Sequence, residues 1–96
     1  YVIEFHVPAF KTGSHRAVLY NVTDTNNDIL GSSATAGTAS AVQSFSSGYG
    51  NLVLAGTKTF EIQHRCATSR GTDGLGKSSG FGISEIYTIV KITQLK

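Results

Sequence analysis

Apolar and polar positions alternate most clearly from Ala55 to Cys66, AGTKTFEIQHRC. Gly56 and its neighbours read as a turn, and Thr57 to Cys66 as a strand. Period-two alternation puts successive side chains on opposite faces, and Thr, Phe and Ile suit a pleated backbone. Phe60, Ile62, His64 and Cys66 share one face; Thr59, Glu61, Gln63 and Arg65 share the other. A half-polar strand belongs to an antiparallel sheet covered on one side, not to a parallel sheet buried on both.

The pattern recurs along the chain. Tyr1 to Val7 reads as a strand with Ile3, Phe5 and Val7 facing away from Glu4 and His6. Pro8 cannot donate a ladder hydrogen bond, so it ends this strand or sits at an edge. Lys11 to Ser14 is a turn, and His15 to Val22 a second strand, with Val18, Tyr20 and Val22 opposite Ala17, Leu19 and Asn21. Asp24 to Asp28 is a polar turn cluster, after which Ile29 and Leu30 start a short strand that Gly31 interrupts. Ser32 to Ser40 is a loop or an edge strand. Its alanines permit a helix, but Thr35, Gly37 and Thr38 argue against one.

Ala41 to Ser46 reads as a further strand, Gly48 to Asn51 as a tight turn or bulge, and Leu52 to Leu54 as a resumed apolar run. Ala67 to Gly80 is the longest expected loop, punctuated by four glycines and wetted by Arg70, Asp73 and Lys77; such loops often carry recognition. Phe81 to Leu95 is expected to be a strand long enough to cross a sandwich. It is apolar on both faces, which calls for a central place in a sheet or a subunit contact.

Ninety-six residues with eleven glycines, one proline and no Trp or Met suit one turn-rich β domain with a modest core. The formal charge of +2 is too small to indicate a partner, and no basic stripe points to nucleic acid. No run is long enough to span a membrane as a helix. The chain does not start with Met, so it reads as a fragment or processed product, with residues 1–96 as a single domain.

Candidate chemistry is sparse. The lone Cys66 has no intrachain disulfide partner, leaving a buried thiol, an interchain bond or a nucleophile; burial is the expectation. His64 lies two residues away on the same face, a spacing that lets both reach a metal with His6 or His15 or form a nucleophile–base couple; core packing beside Phe60 and Ile62 is expected instead. Asn21-Val22-Thr23 matches a glycosylation acceptor, and Asp24, Asn26 and Asp28 resemble the start of a calcium loop without its glycine and distant glutamate. Strand-end and turn chemistry are the expected roles. Arg65 and Glu61 share a face that Glu85 is expected to approach, a charged arrangement suited to fixing the register of a seam. No catalytic residue, metal site or cofactor is expected.

Three segments, HRAVLYNVTD (15–24), LAGTKTFEIQHRC (54–66) and SEIYTIVKI (84–92), together resemble a C-terminal domain recurrent in tail fibres and tail-associated proteins of bacteriophages and prophages. The resemblance runs from about Phe5 to the end and says little about Ala34 to Ser47. It implies an all-β, antiparallel, jelly-roll-like sandwich similar to the C1q and tumour-necrosis-factor folds, a homotrimer at the tip of a longer fibre on the virion. On that basis Phe60, Tyr87 and Ile89 are the expected threefold seam. The expected function is non-enzymatic binding of a host-surface glycan through exposed loops carrying Tyr49, Asn51, Asn26, Asn27, Asp28, Arg70, Asp73 and Lys77. A capping or trimerisation module without its own ligand is the alternative.

Overall fold

The first two strands set the two layers. β1 (Val2–Phe10) buries Ile3, Phe5, Val7 and Ala9, and β2 (Gly13–Asn21) buries His15, Ala17, Leu19 and Asn21, as alternation requires. The computed structural model describes residues 1–95. It continues with β3 (Asn26–Leu30), β4 (Ala34–Ala36), β5 (Gln43–Asn51), β6 (Phe60–Cys66) and β7 (Ile89–Thr93). One antiparallel sheet has the order β5-β1-β7. In the other, β6 follows one edge of β2, while β3 and β4 share the opposite edge. The sheets face each other as a sandwich around Ile3, Phe5, Val7, Ala17, Leu19 and Ile29, with Leu52, Phe60 and Ile62 packed against them.

β6 presents the expected face inward. Its Phe60, Ile62 and His64 lie across the ladder from the buried Asn21, Leu19 and Ala17. Pro8 lies within β1 rather than ending it, and β7 accompanies β1 only from Val2 to His6, so the proline sits where that edge is open.

Two expectations are corrected. Gly48 to Asn51 is no turn: β5 runs through it, paired with Val2 to Phe5 of β1. Gly48 is there because the Phe5 ring lies against its backbone, and a Cβ at that position would be 2.1 Å from Phe5 Cζ. The final long strand shrinks to Ile89–Thr93; Gly82, inside the expected strand, adopts φ +77, which breaks an extended backbone at its start.

The seam between the sheets is a hydrogen-bond problem. β4 pairs with β2 up to His15 and β3 only from Val18, leaving that edge of β2 without a strand partner in between, while β6 continues along the other edge. The gap is closed from three sides. Gly31 N–H donates to Ala17 O (2.8 Å), Ala17 N–H donates to Ser46 Oγ (2.9 Å), and the Ser46 hydroxyl donates to Ser32 O (2.6 Å). Ser46 belongs to the other sheet and is fully buried. Gly31 admits this approach because a Cβ there would lie 2.4 Å from Ala17 O.

Ser46→Ala removes the acceptor of the buried Ala17 amide, and is expected to cost about 1–3 kcal/mol in urea denaturation at fixed protein concentration. Ser33→Ala, at an exposed position, should leave the midpoint in place. Equal midpoints for the two variants would show that the hydroxyl does not carry this seam.

Candidate functional site

The residues singled out in the sequence fall into separate places. At one end of the sandwich the loop after β6 folds over Phe10, the last residue of β1. Phe10 N–H donates to Gly74 O (2.9 Å), and Lys77 N–H donates to the Gln43 side chain (2.7 Å). The Arg70 guanidinium lies 5.4 Å and the Lys77 ammonium 6.0 Å from the Phe10 ring centroid, both within cation–π range. Asp73 sits between them, hydrogen-bonded and ion-paired to Arg70 and 3.7 Å from Lys77. The Arg70 hydrogen bond, reinforced by both positive charges, holds the Asp73 carboxyl below its usual range. Arg70, Asp73 and Lys77 thus satisfy one another. Tyr87 is half-buried against the same loop, its ring occupying the space a side chain at Gly76 would need.

Beneath that loop lies a polar layer. His15 comes from β2, His64 from β6 and Ser44 from β5. A hydrogen bond joins His15 Nδ1 to His64 Nε2 (2.9 Å), and another joins His15 Nε2 to Ser44 Oγ (2.7 Å). The rings meet edge to face at 5.0 Å. A hydroxyl on an imidazole held by a third group is the layout of an activated nucleophile, yet His15 is only 4% exposed. The three side chains form a polar bridge between the two sheets. A cavity of about 240 Å³ adjoins it, lined by His64, Cys66, Arg70, Leu75 and Thr12, whose buried hydroxyl has no hydrogen-bond partner. Burial pushes both imidazoles below their ordinary value, and for His64 the neighbouring His15 adds to the effect.

Cys66 corrects an expectation. Its side chain is exposed at the last residue of β6, donating weakly to Thr68 O (3.5 Å). His6 stands on the outer face of β1 with Ser47 (2.8 Å), away from His64. Among the described residues no three His, Cys, Asp or Glu side chains converge on a common metal position.

The other end of β1 is roughly 25 Å away at strand spacing. There the buried Asn21 organises the turn. Its amide nitrogen donates to Asp24 and Asp28 (both 3.0 Å), its oxygen accepts from Asp24 N–H (2.9 Å), and Lys58 reaches Asp24 at 3.0 Å. Asn21 is 3% exposed and its side chain is engaged, which does not fit a glycosylation acceptor, and Asp24 and Asp28 both accept from its amide. Asn26 and Asp28 bond to each other, and with Asn27 they belong to β3 rather than a loop. Tyr49 and Asn51 also stand on a strand, with Tyr49 opposite Glu4 and 65% exposed. Of the expected seam residues, Phe60 packs against the core and Ile89 is 52% exposed on β7.

Sequence reading missed Ser44 and Arg16. Alternation does assign Arg16 and Arg65 to outward faces, but only the β2–β6 register brings them directly opposite each other. Glu85 is held by the Ser79 amide and hydroxyl instead of approaching Arg65.

Comparison with models of known families, with curated proteins and with solved structures finds no match.

Two outcomes follow from the histidine layer and its neighbour. The folded protein holds the imidazole protons less tightly than the unfolded chain does. Its stability is therefore complete above the ordinary histidine value of 6.5 and declines as the pH falls from there toward the depressed folded values. His64→Gln is expected to flatten chemical-denaturation midpoints measured between pH 6.5 and about 5. The depressed Asp73 and Glu85 carboxyls lose their contribution at lower pH, below their ordinary values of 3.8 and 4.5. An unchanged slope would mean that the pair does not titrate on unfolding. A maleimide should label Cys66 of the native protein nearly as fast as the urea-unfolded chain; strong protection would place the thiol in an interface.

Proposed function

We propose that this chain is a non-enzymatic, jelly-roll-like recognition domain that works as a homotrimer at the tip of a phage tail fibre or related virion protein and binds host-surface carbohydrate. The observation that carries the reading is apolar surface. Phe81 (82%), Ile83 (75%), Ile86 (73%), Ile92 (63%) and Leu95 (62%) stand exposed in one chain, and Val53 is wholly exposed. On the side where β6 and β7 leave the sandwich open, Val90 and Ile92 oppose Phe5 and Ile3 across the ladder yet remain uncovered. The exposed parts of the apolar residues from Phe81 onward amount to on the order of 800 Å², about one partner's share of a standard interface. From Phe81 to Leu95 only Glu85 and Lys91 are charged, so identical copies can meet there without strong repulsion.

Carbohydrate recognition rests on the outer face of the β5-β1-β7 sheet. Tyr49 offers an exposed ring there beside Glu4, and sugar rings stack on such surfaces. The second reading, a capping or trimerisation module with no ligand, has its own support: Arg70, Asp73 and Lys77 are spent on one another and on Phe10.

Light scattering over a dilution series is expected to give a mass three times the 10.1 kDa chain, and Ile92→Asp to reduce it. A native monomer at all concentrations would overturn the trimer. Tyr49→Ala should abolish glycan-array binding without changing the mass, whereas an array that stays blank for the native trimer leaves the capping module as the function.

A further inference from the structure

The outer face of the β2 sheet carries an arrangement that the fold does not explain. Arg16 on β2 stands directly opposite Arg65 on β6. Directly opposed residues of an antiparallel pair are about 5 Å apart, where like charges destabilise the sheet. Carboxylates would ordinarily compensate. Among the described residues, however, the ion pairs are those of Lys58 with Asp24 and of Arg70 and Lys77 with Asp73, and neither Arg16 nor Arg65 has an acidic partner. Glu61, on the same face of β6, receives the Gln63 amide at 2.7 Å.

One of the two guanidiniums is already aimed. Arg16 Nε donates to Gly31 O at 2.7 Å, which fixes the fork and leaves its terminal nitrogens free. Arg65 is exposed and makes no side-chain hydrogen bond among those of the described residues. Both arginines line two adjoining depressions. The larger, about 650 Å³, extends toward Ser14, Ser33 and Thr35; the smaller, about 280 Å³, has Val18 and Leu30 as apolar surface and the amides of Asn27 and Gln63 at its sides. A paired cationic fork beside a small amphipathic hollow is suited to a ligand with an anionic group on a ring that has one apolar face and several hydroxyls.

We infer that Arg16 and Arg65 together bind the anionic group, carboxylate or phosphate, of an acidic saccharide, whose ring lies over Val18 and Leu30 with hydroxyls on Asn27 and Gln63. This rests on the carbohydrate-recognition reading above and gives it a ligand class and a second face, distinct from Tyr49. Bound anion also relieves the repulsion within the arginine pair, so ligand and fold stabilise each other.

The test is calorimetric titration of the native protein with glucuronate, glucose 1-phosphate, glucose and inorganic phosphate, in about 50 mM and then 300 mM salt. Saturable binding of glucuronate or glucose 1-phosphate, with glucose much weaker, is expected; which of the two binds tighter identifies the anion. Arg65→Gln should weaken binding about tenfold or more, and Arg65→Lys, which keeps the charge but loses the fork, should weaken it too. Lys11→Gln, an equal loss of charge elsewhere, should bind as the native protein does. In ligand-free low-salt buffer Arg65→Gln should unfold at an equal or higher temperature than the native chain, which separates lost binding from lost folding. Native-like affinity in Arg65→Gln, or an equal loss in Lys11→Gln, would overturn the site. Inorganic phosphate binding as tightly as either sugar acid would overturn the saccharide assignment. Array binding of neutral glycans that needs Tyr49, with no response to any anion, sinks this site and leaves the broader recognition reading intact.

Discussion

The sandwich depends on one buried hydroxyl. On the edge that β3 and β4 share, β2 has no strand partner between His15 and Val18, and a buried amide left there without an acceptor costs about 1–3 kcal/mol. Ser46 meets this demand from the opposite sheet, accepting from Ala17 and donating to Ser32 O. The consequence is geometric. β5 must come within hydrogen-bond reach of β2 at this point, which sets the separation of the layers there and requires Gly31 to have no side chain. Gly48, two residues from Ser46, receives the Phe5 ring, so the same short piece of β5 closes the seam and fills the core.

The sandwich is polar where it is thinnest in apolar material. Beyond Ala9 and Ala17 the core gives way to His15, His64, Ser44 and Thr12. The loop from Arg70 to Lys77 closes this end with cations over Phe10 and a carboxylate between them, an arrangement in which charges, not apolar side chains, cover an aromatic ring. The layer is satisfied only while the histidines are not both protonated, so it ties the stability of this end to pH in a way the apolar centre is not tied.

The surface divides by chemistry in the same manner. Apolar side chains from Phe81 onward are largely uncovered within one chain, which supports a partner there; the arginine pair on the opposite sheet is exposed and, among the described residues, has no counter-charge, which supports a small anionic ligand. Tyr49 marks a third face. None of the three overlaps another in the residues it uses, so assembly and binding can be separated by substitution.

Period-two alternation by itself determined the inward faces of β1 and β6, because which face of a strand is apolar is a local property of the chain; β2 carries apolar side chains on both faces, so there the fold made the choice. Phe5 and Ile62 were legible on that ground. Alternation carries no information about which strands pair or at what register, and there the tertiary structure decided. Gly48 read as a turn residue because its true cause, the Phe5 ring, lies forty-three positions earlier in the chain. Cys66 shares a face with Phe60 and Ile62 but stands at the very end of β6, so its face was legible and its exposure was not. Arg16 and Arg65 each looked like an ordinary solvent-facing charge; only the ladder between β2 and β6 makes them a pair, because electrostatic repulsion depends on distance in space and not on separation along the chain.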